Sequence, residues 1–129
     1  MSLVEIDLAR TLNMMPSPAY IFASEERRFL AANSLYCELV GYTEDELKSL
    51  PWPKIMPEEY VEPAQKALST ASPGAPTIWK WRRKDGSIVA AVIMYRVMTV
   101  THEDGIFEAY FAAVLGAGEH PIDAKTLMK

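Results

Sequence analysis

Trp79-Lys-Trp-Arg-Arg-Lys-Asp-Gly-Ser-Ile-Val-Ala-Ala-Val-Ile-Met-Tyr95 decides how this chain is read. Trp79 and Trp81 alternate with Lys80 and Arg82, so an extended strand sends both indoles to one face and the charges to the other. Asp85-Gly86 brings the backbone freedom that a tight hairpin turn needs. The apolar run that follows leads to a second turn at Asp104-Gly105 and a third run over residues 106–115. Together they predict an antiparallel meander with an aromatic-lined face, able to close a small-molecule pocket.

Upstream of the meander the pattern changes. Val4, Leu8, Leu12 and Met15 recur at helical spacing, and Ser2 with Glu5 fits a capping box, so an amphipathic helix is predicted up to Pro16-Ser-Pro18. Two short strands are predicted over residues 19–23 and 29–32, joined by the polar turn Glu25-Glu-Arg-Arg28. Asn33 then caps a helix over residues 34–40 that Gly41 stops in a left-handed conformation. Thr43 and Glu46 make a second capping box, and Leu50-Pro-Trp-Pro53 breaks the helix they start. Pro57-Glu-Glu59 opens a longer helix whose buried side carries Tyr60, Ala64, Ala67 and Leu68. Gly116-Ala-Gly-Glu-His-Pro121 is read as breaking the last strand. The order predicts an α+β domain, with one antiparallel sheet and short helices on one face. The expected organisation is an N-terminal amphipathic helix over 1–16, a core over 17–116, and a tail or linker over 117–129.

Composition narrows the function classes. A chain of 129 residues, half of them hydrophobic, fits one domain with a real core. The net charge of −4 argues against a nucleic-acid partner. The longest apolar run, residues 88–95, is far shorter than a membrane span, and no signal peptide opens the chain. Cys37, the single cysteine, offers neither an internal disulfide nor a zinc pattern. A cytoplasmic domain is expected, with a soluble fragment of a membrane protein as the alternative.

Four segments carry a family resemblance. Phe29-Leu-Ala-Ala-Asn33 with Glu38-Leu-Val-Gly-Tyr42, then Thr43-Glu-Asp-Glu-Leu47, Met56-Pro-Glu-Glu59, and Trp81-Arg-Arg-Lys-Asp-Gly-Ser87 resemble, in order, the motifs of a PAS domain. That family comprises sensory modules of histidine kinases, cyclic-dinucleotide enzymes and transcription regulators. The resemblance covers about residues 8–115 and implies a five-stranded antiparallel sheet. The "DIT" triplet that often closes the last strand of the family is replaced by Leu115-Gly-Ala-Gly118.

The resemblance implies roles for particular residues. Asn33 is expected to tie the helices to the sheet, while Gly41, Asp85 and Gly86 shape turns. Trp79, Trp81, Ala91, Ile93, Tyr95, Tyr110 and Ala112 are expected on the inner face as a ligand-binding wall, opposite Tyr60 and Leu68 of the long helix. A core-filling role for the two Trp residues is the alternative. Ala91 and Ala112 leave space in the sheet centre, or room for a Trp folded over them. No cofactor is expected. A flavin is disfavoured because the region of the family's reactive cysteine reads Pro51-Trp-Pro-Lys-Ile-Met56, and Trp81, Ala91 and Val114 stand where polar side chains hold the ring. Haem is disfavoured because residues 60–71 lack histidine, while His102 and His120 lie by the last turn and in the tail.

Catalytic signals are weak. Glu58 and Glu59 suit a helix start better than acid–base work, Ser72 has no partner at useful spacing, and no Gly-rich phosphate loop is present. Lys80, Arg82, Arg83 and Lys84, interleaved with Trp, could suggest single-stranded nucleic acid, but a solvated sheet edge is the simpler reading. The outer face is unusually apolar: Ile88, Ala90, Val92, Met94 and Met98 on one strand and Ala109, Phe111, Ala113 and Leu115 on the next, with Arg96 the one charge. The N-terminal helix (Val4, Leu8, Leu12) and a second subunit, meeting near Met94 and Phe111, are the expected covers. The reading is a non-catalytic sensory domain of a signal-transduction protein such as a two-component system. It would bind a small organic ligand, form a homodimer, and relay to an output domain in the same polypeptide. The alternatives are a ligand-free PAS module that serves dimerisation only, and a small α+β enzyme.

Overall fold

A computed structural model describes residues 8–60, 62, 77–102 and 105–119. Helix α1 (Leu8–Asn13) precedes strands β1 (Ala19–Ala23) and β2 (Arg28–Ala32). Helices α2 (Ser34–Val40) and α3 (Glu44–Ser49) follow, with short 3-10 turns at Trp52–Ile55 and Glu58–Tyr60. Strands β3 (Thr77–Arg82), β4 (Ile88–His102) and β5 (Gly105–Glu119) complete one antiparallel sheet ordered β2-β1-β5-β4-β3. The N-terminal hairpin therefore pairs with the last strand, and β5 is the centre of the sheet.

Local chemistry sets the helix ends. The Asn33 side chain accepts from the Tyr36 amide, and Gly41 (φ 81°) closes α2 by donating to the Cys37 carbonyl. A side chain at Gly41 would be held in the left-handed region, which disfavours L residues whatever the space. Thr43 and Glu46 exchange the two hydrogen bonds of a capping box at the start of α3. The β3–β4 turn has the same local logic. Gly86 (φ 92°) donates to the Arg83 carbonyl at 2.9 Å, and Asp85 Oδ1 accepts from the amide and hydroxyl of Ser87 at 2.8 and 2.6 Å. This is a three-residue hairpin with glycine in the left-handed position.

Two cores lie on opposite faces of the sheet. The inner one joins Tyr20, Phe22, Phe29, Tyr36, Trp52, Trp79, Trp81 and Tyr95 with the apolar sides of α2 and α3. The outer one joins Leu12 of α1 to Ile21, Leu30, Ala31, Val100, Phe107 and Ala109. A bulge lets β2 serve both: the β1–β2 register shifts between Ile21 and Phe22, leaving Leu30 unpaired. Phe29 and Ala32 can then face inward while Leu30 and Ala31 face outward.

Several expectations change. Gly116 does not end the last strand. A register shift at Leu115 absorbs one residue, and β5 continues to Glu119. The outer face is less open than its sequence predicts: Ala90 and Val92 are only 1% and 2% exposed, and Met94 is half-buried. The most exposed large apolar residues are Met14 (81%), Ile106 (74%) and Leu115 (57%), and of the predicted outer set Leu115 and Met98 (37%) remain open. The predicted long helix opened by Pro57 shows a 3-10 turn at Glu58–Tyr60. The rest of that helix, apart from Glu62, lies outside the described residues, as do Val4, the side chain of Leu8, Leu68, His120 and the second hairpin turn.

Candidate functional site

The inner face of the sheet opens into an aromatic cleft. Trp79 and Trp81 of β3, Ile93 and Tyr95 of β4, and Tyr110 and Ala112 of β5 line it from the sheet. Tyr20 and Phe22 of β1, Phe29 of β2, Trp52 of the first 3-10 turn and Met56 complete the wall. The cleft holds about 450 Å³ of empty space, part of it open to solvent. The cavity volume proper is only about 30 Å³, well below the roughly 300–1,000 Å³ of common ligand sites, so a ligand would have to part the rings to enter.

The rings pack edge to face, as their quadrupoles favour. Tyr20 meets Phe29 at 5.3 Å and Trp81 at 6.0 Å between centroids, and Tyr95 meets Tyr110 at 4.9 Å. Tyr36, fully buried beneath them, contacts Trp81 at 5.2 Å. Burial pushes the phenol pKa values of Tyr20 and Tyr36 well above their ordinary value, so both are neutral at physiological pH. None of the lining residues carries a charge.

Asn33 fastens this wall to the rest of the fold. It is 1% exposed. Its Oδ1 accepts from the amides of Ala19 (3.0 Å) and Tyr36 (2.9 Å). Its Nδ2 donates to the carbonyls of Leu12 (3.0 Å) and Ser17 (2.8 Å). One amide side chain thus joins α1, β1 and α2 with its hydrogen-bonding capacity filled.

Ala91 is buried on the inner face but does not line the cleft. Its cross-strand partner is Trp79, whose indole shares that face beside the small side chain. The side chain of Tyr60 and all of Leu68 lie outside the described residues. Tyr20, Phe22, Phe29, Trp52 and Met56 were not among the wall residues expected from sequence. Trp52 hides between two prolines that read as a helix break, yet they shape a 3-10 turn that sinks the indole.

Two of the four residues of the basic cluster are tied to the helices. Arg83 Nε donates to the Leu39 carbonyl at 2.9 Å, and Lys84 Nζ pairs with Glu46 at 2.6 Å. These contacts hold the β3–β4 hairpin against α2 and α3. Cys37 sits on α2, partly buried and away from the cleft lining, with burial and then Glu44 pushing its thiol pKa up. Among the described residues no group of His, Cys, Asp and Glu could hold a metal. Among them, too, no helix is long and apolar enough to cross a membrane.

No protein-family model matches the chain, and no curated protein matches it. Solved structures do. The PAS domain of a Desulfitobacterium hafniense protein superposes with a TM-score of 0.62 at 21% identity, over 81% of this chain and 96% of that one. The PAS domain of an HTR-like protein from Haloarcula marismortui gives 0.61 at 17% identity, over 83% and 86%. A Rhodobacter sphaeroides LOV protein gives 0.64 at 10% identity, over 92% and 68%. The chain has the PAS fold. In PAS terms, the cleft is the space between the sheet and the helical segment, and Asn33 stands at the junction of the two.

Proposed function

We propose that this PAS domain is a non-catalytic sensory module of a signal-transduction protein. It binds a small organic molecule in the aromatic cleft and relays occupancy to an output domain in the same polypeptide. The observation that carries the reading is the uncharged, ring-lined cleft between Trp79, Trp81, Tyr95 and Tyr110 on one side and Trp52 and Met56 on the other. A domain of a sensory box sensor histidine kinase/response regulator from Geobacter sulfurreducens shares the fold at a TM-score of 0.59 and 18% identity, which lends the signalling role support. The setting we favour is the cytoplasm.

Flavin and haem are not the ligands in this reading. Cys37 stands outside the cleft lining, and no histidine or other charged residue is part of it. The test is a thermal-shift screen of small aromatic and aliphatic metabolites. A ligand at 100 times its dissociation constant adds about 2.7 kcal/mol of stability. Ala112→Leu places a larger side chain in the cleft and should abolish the shift. A hit that Ala112→Leu leaves unchanged would put the site elsewhere, and an empty screen would favour a module that serves dimerisation only.

Exposed Met14, Ile106 and Leu115 favour a homodimer as a second element of the reading. Sedimentation equilibrium of the wild type and Ile106→Glu at micromolar concentration checks it. A wild type that stays monomeric refutes it.

A further inference from the structure

Strand β4 outruns its outer neighbour. β3 pairs with it only from Ile88 to Ile93, whereas β4 continues beside β5 to His102. Among the described residues no strand lies on the other side of residues 94–102. The sequence before β3, Ser72-Pro-Gly-Ala-Pro76, holds two prolines, which cannot donate to a ladder, so β3 has no ready continuation along this edge.

The ladder fixes which backbone groups point to the open side. In β5 the Glu108 carbonyl accepts from the Ser24 amide at 3.1 Å, and the Val114 amide donates to the Pro18 carbonyl at 2.8 Å. Even-numbered residues of β5 up to Val114 therefore turn to β1 and odd-numbered ones to β4. Phe107, Ala109, Phe111 and Ala113 stand opposite Val100, Met98, Arg96 and Met94, so these even residues of β4 bond to β5. Tyr95, Val97, Thr99 and Thr101 turn their amides and carbonyls the other way. At the start of the strand the Arg83 amide donates to the Ser87 carbonyl at 2.7 Å, which gives the same parity. Arg96, Val97, Met98 and Thr99 are exposed in succession, with Val97 at 45%, so neither face of the strand is covered there. Residues 95–101 contain no proline, glycine or lysine, the usual means of blunting an edge, and Arg96 is their one charge.

We propose that this edge takes a second copy of the chain, antiparallel, so that two sheets join into one through β4. The segment is complementary to itself. Centred on Met98, the pairing sets Val97 against the partner's Thr99 and Tyr95 against the partner's Thr101, with about eight hydrogen bonds in all. Arg96 then falls opposite the partner's Val100, so no like charges meet. Centring on Val97 instead would set the partner's Thr101 against Ile93, whose side of the ladder Thr77 already occupies. Exposed Ile106 stands beside Thr101 on β5, one strand from the new neighbour. The proposal rests on the homodimer reading and adds its interface, register and symmetry.

The test is disulfide trapping of Met98→Cys and Arg96→Cys, each with Cys37→Ser, under mild oxidation. Both positions are exposed, so neither substitution disturbs the core. Met98 faces its own copy in a non-hydrogen-bonded pair, with Cα atoms about 4.5 Å apart, within reach of a disulfide. The two copies of residue 96 lie about 13 Å apart along the strands and are out of reach. Met98→Cys should give at least about 10-fold more covalent dimer than Arg96→Cys. Thr99→Pro, which removes an amide that faces the edge and none that β5 uses, should leave a monomer in sedimentation equilibrium. Equal trapping at both positions, or a dimer that survives Thr99→Pro, would overturn the edge while leaving a homodimer built elsewhere. A wild type that stays monomeric would overturn both.

Discussion

Asn33→Ala tests whether one buried amide holds helix, sheet and cleft together. The loss can be worked from its four hydrogen bonds. The Ala19 amide is buried and would lose its acceptor at 3.0 Å, which costs about 1–3 kcal/mol. The Tyr36 amide would lose its cap, at about 1 kcal/mol. The Leu12 carbonyl still accepts from the Met15 amide at 3.1 Å, and the Ser17 carbonyl is in a partly buried contact that water can reach. Each carbonyl therefore adds less, of order 0.5 kcal/mol. The total is about 3–5 kcal/mol, a large part of the roughly 5–15 kcal/mol that holds a domain folded. Trp52, Trp79 and Trp81 are all buried, so their fluorescence reports urea unfolding directly. The midpoint should fall by roughly 1–5 M for slopes of about 1–3 kcal/mol/M. Asn33→Ser separates the parts: its short hydroxyl can cap α2 but cannot also span to α1, so it should recover about 1 kcal/mol and no more. A loss of 1 kcal/mol or less in Asn33→Ala, or full recovery in Asn33→Ser, would show that Asn33 is an ordinary helix cap.

Three further outcomes are expected. Trp81→Ala removes a ring packed on Tyr20 and Tyr36 and should cost about 3–5 kcal/mol in urea unfolding, whereas a cost below about 1 kcal/mol would mean the core closes over the gap. The Lys84 ion pair and the capping box lower the Glu46 pKa, so their contribution is present above the unfolded glutamate value of about 4.3 and is lost as pH falls through the lower folded one; the difference in melting temperature between wild type and Lys84→Ala should therefore shrink below about pH 4, and a difference that grows there would reverse the sign. Purified protein should be colourless after desalting, and retained absorption between about 350 and 480 nm would show a chromophore that the cleft lining does not suggest.

Some of the molecule is decided residue by residue. Asn33, Gly41, Thr43 and Glu46 mark the ends of α2 and α3 because capping is an exchange between neighbours in sequence. The Asp85-Gly86 turn is legible for the same reason, since a left-handed glycine and an Asx bond to Ser87 need nothing from the rest of the chain. Alternation across β3 likewise tells that Trp79 and Trp81 share a face. The opposite wall is a tertiary decision. All five residues of β1 are buried, so the strand shows no alternation, and only pairing with β5 and β2 turns Tyr20 and Phe22 to the cleft and Ile21 to α1. The bulge at Leu30 turns Phe29 inward, which no count along the strand foretells. The outer face reads as open from composition, yet Ala90 and Val92 are buried there. Arg27, read in sequence as one more polar turn residue, comes to lie 5.9 Å from the centroid of the Trp52 ring only because two segments distant in the chain meet in space. Caps and turns are local free energies, written in three or four adjacent residues; the cleft is the space left when strands far apart in sequence choose their register, and that choice belongs to the whole fold.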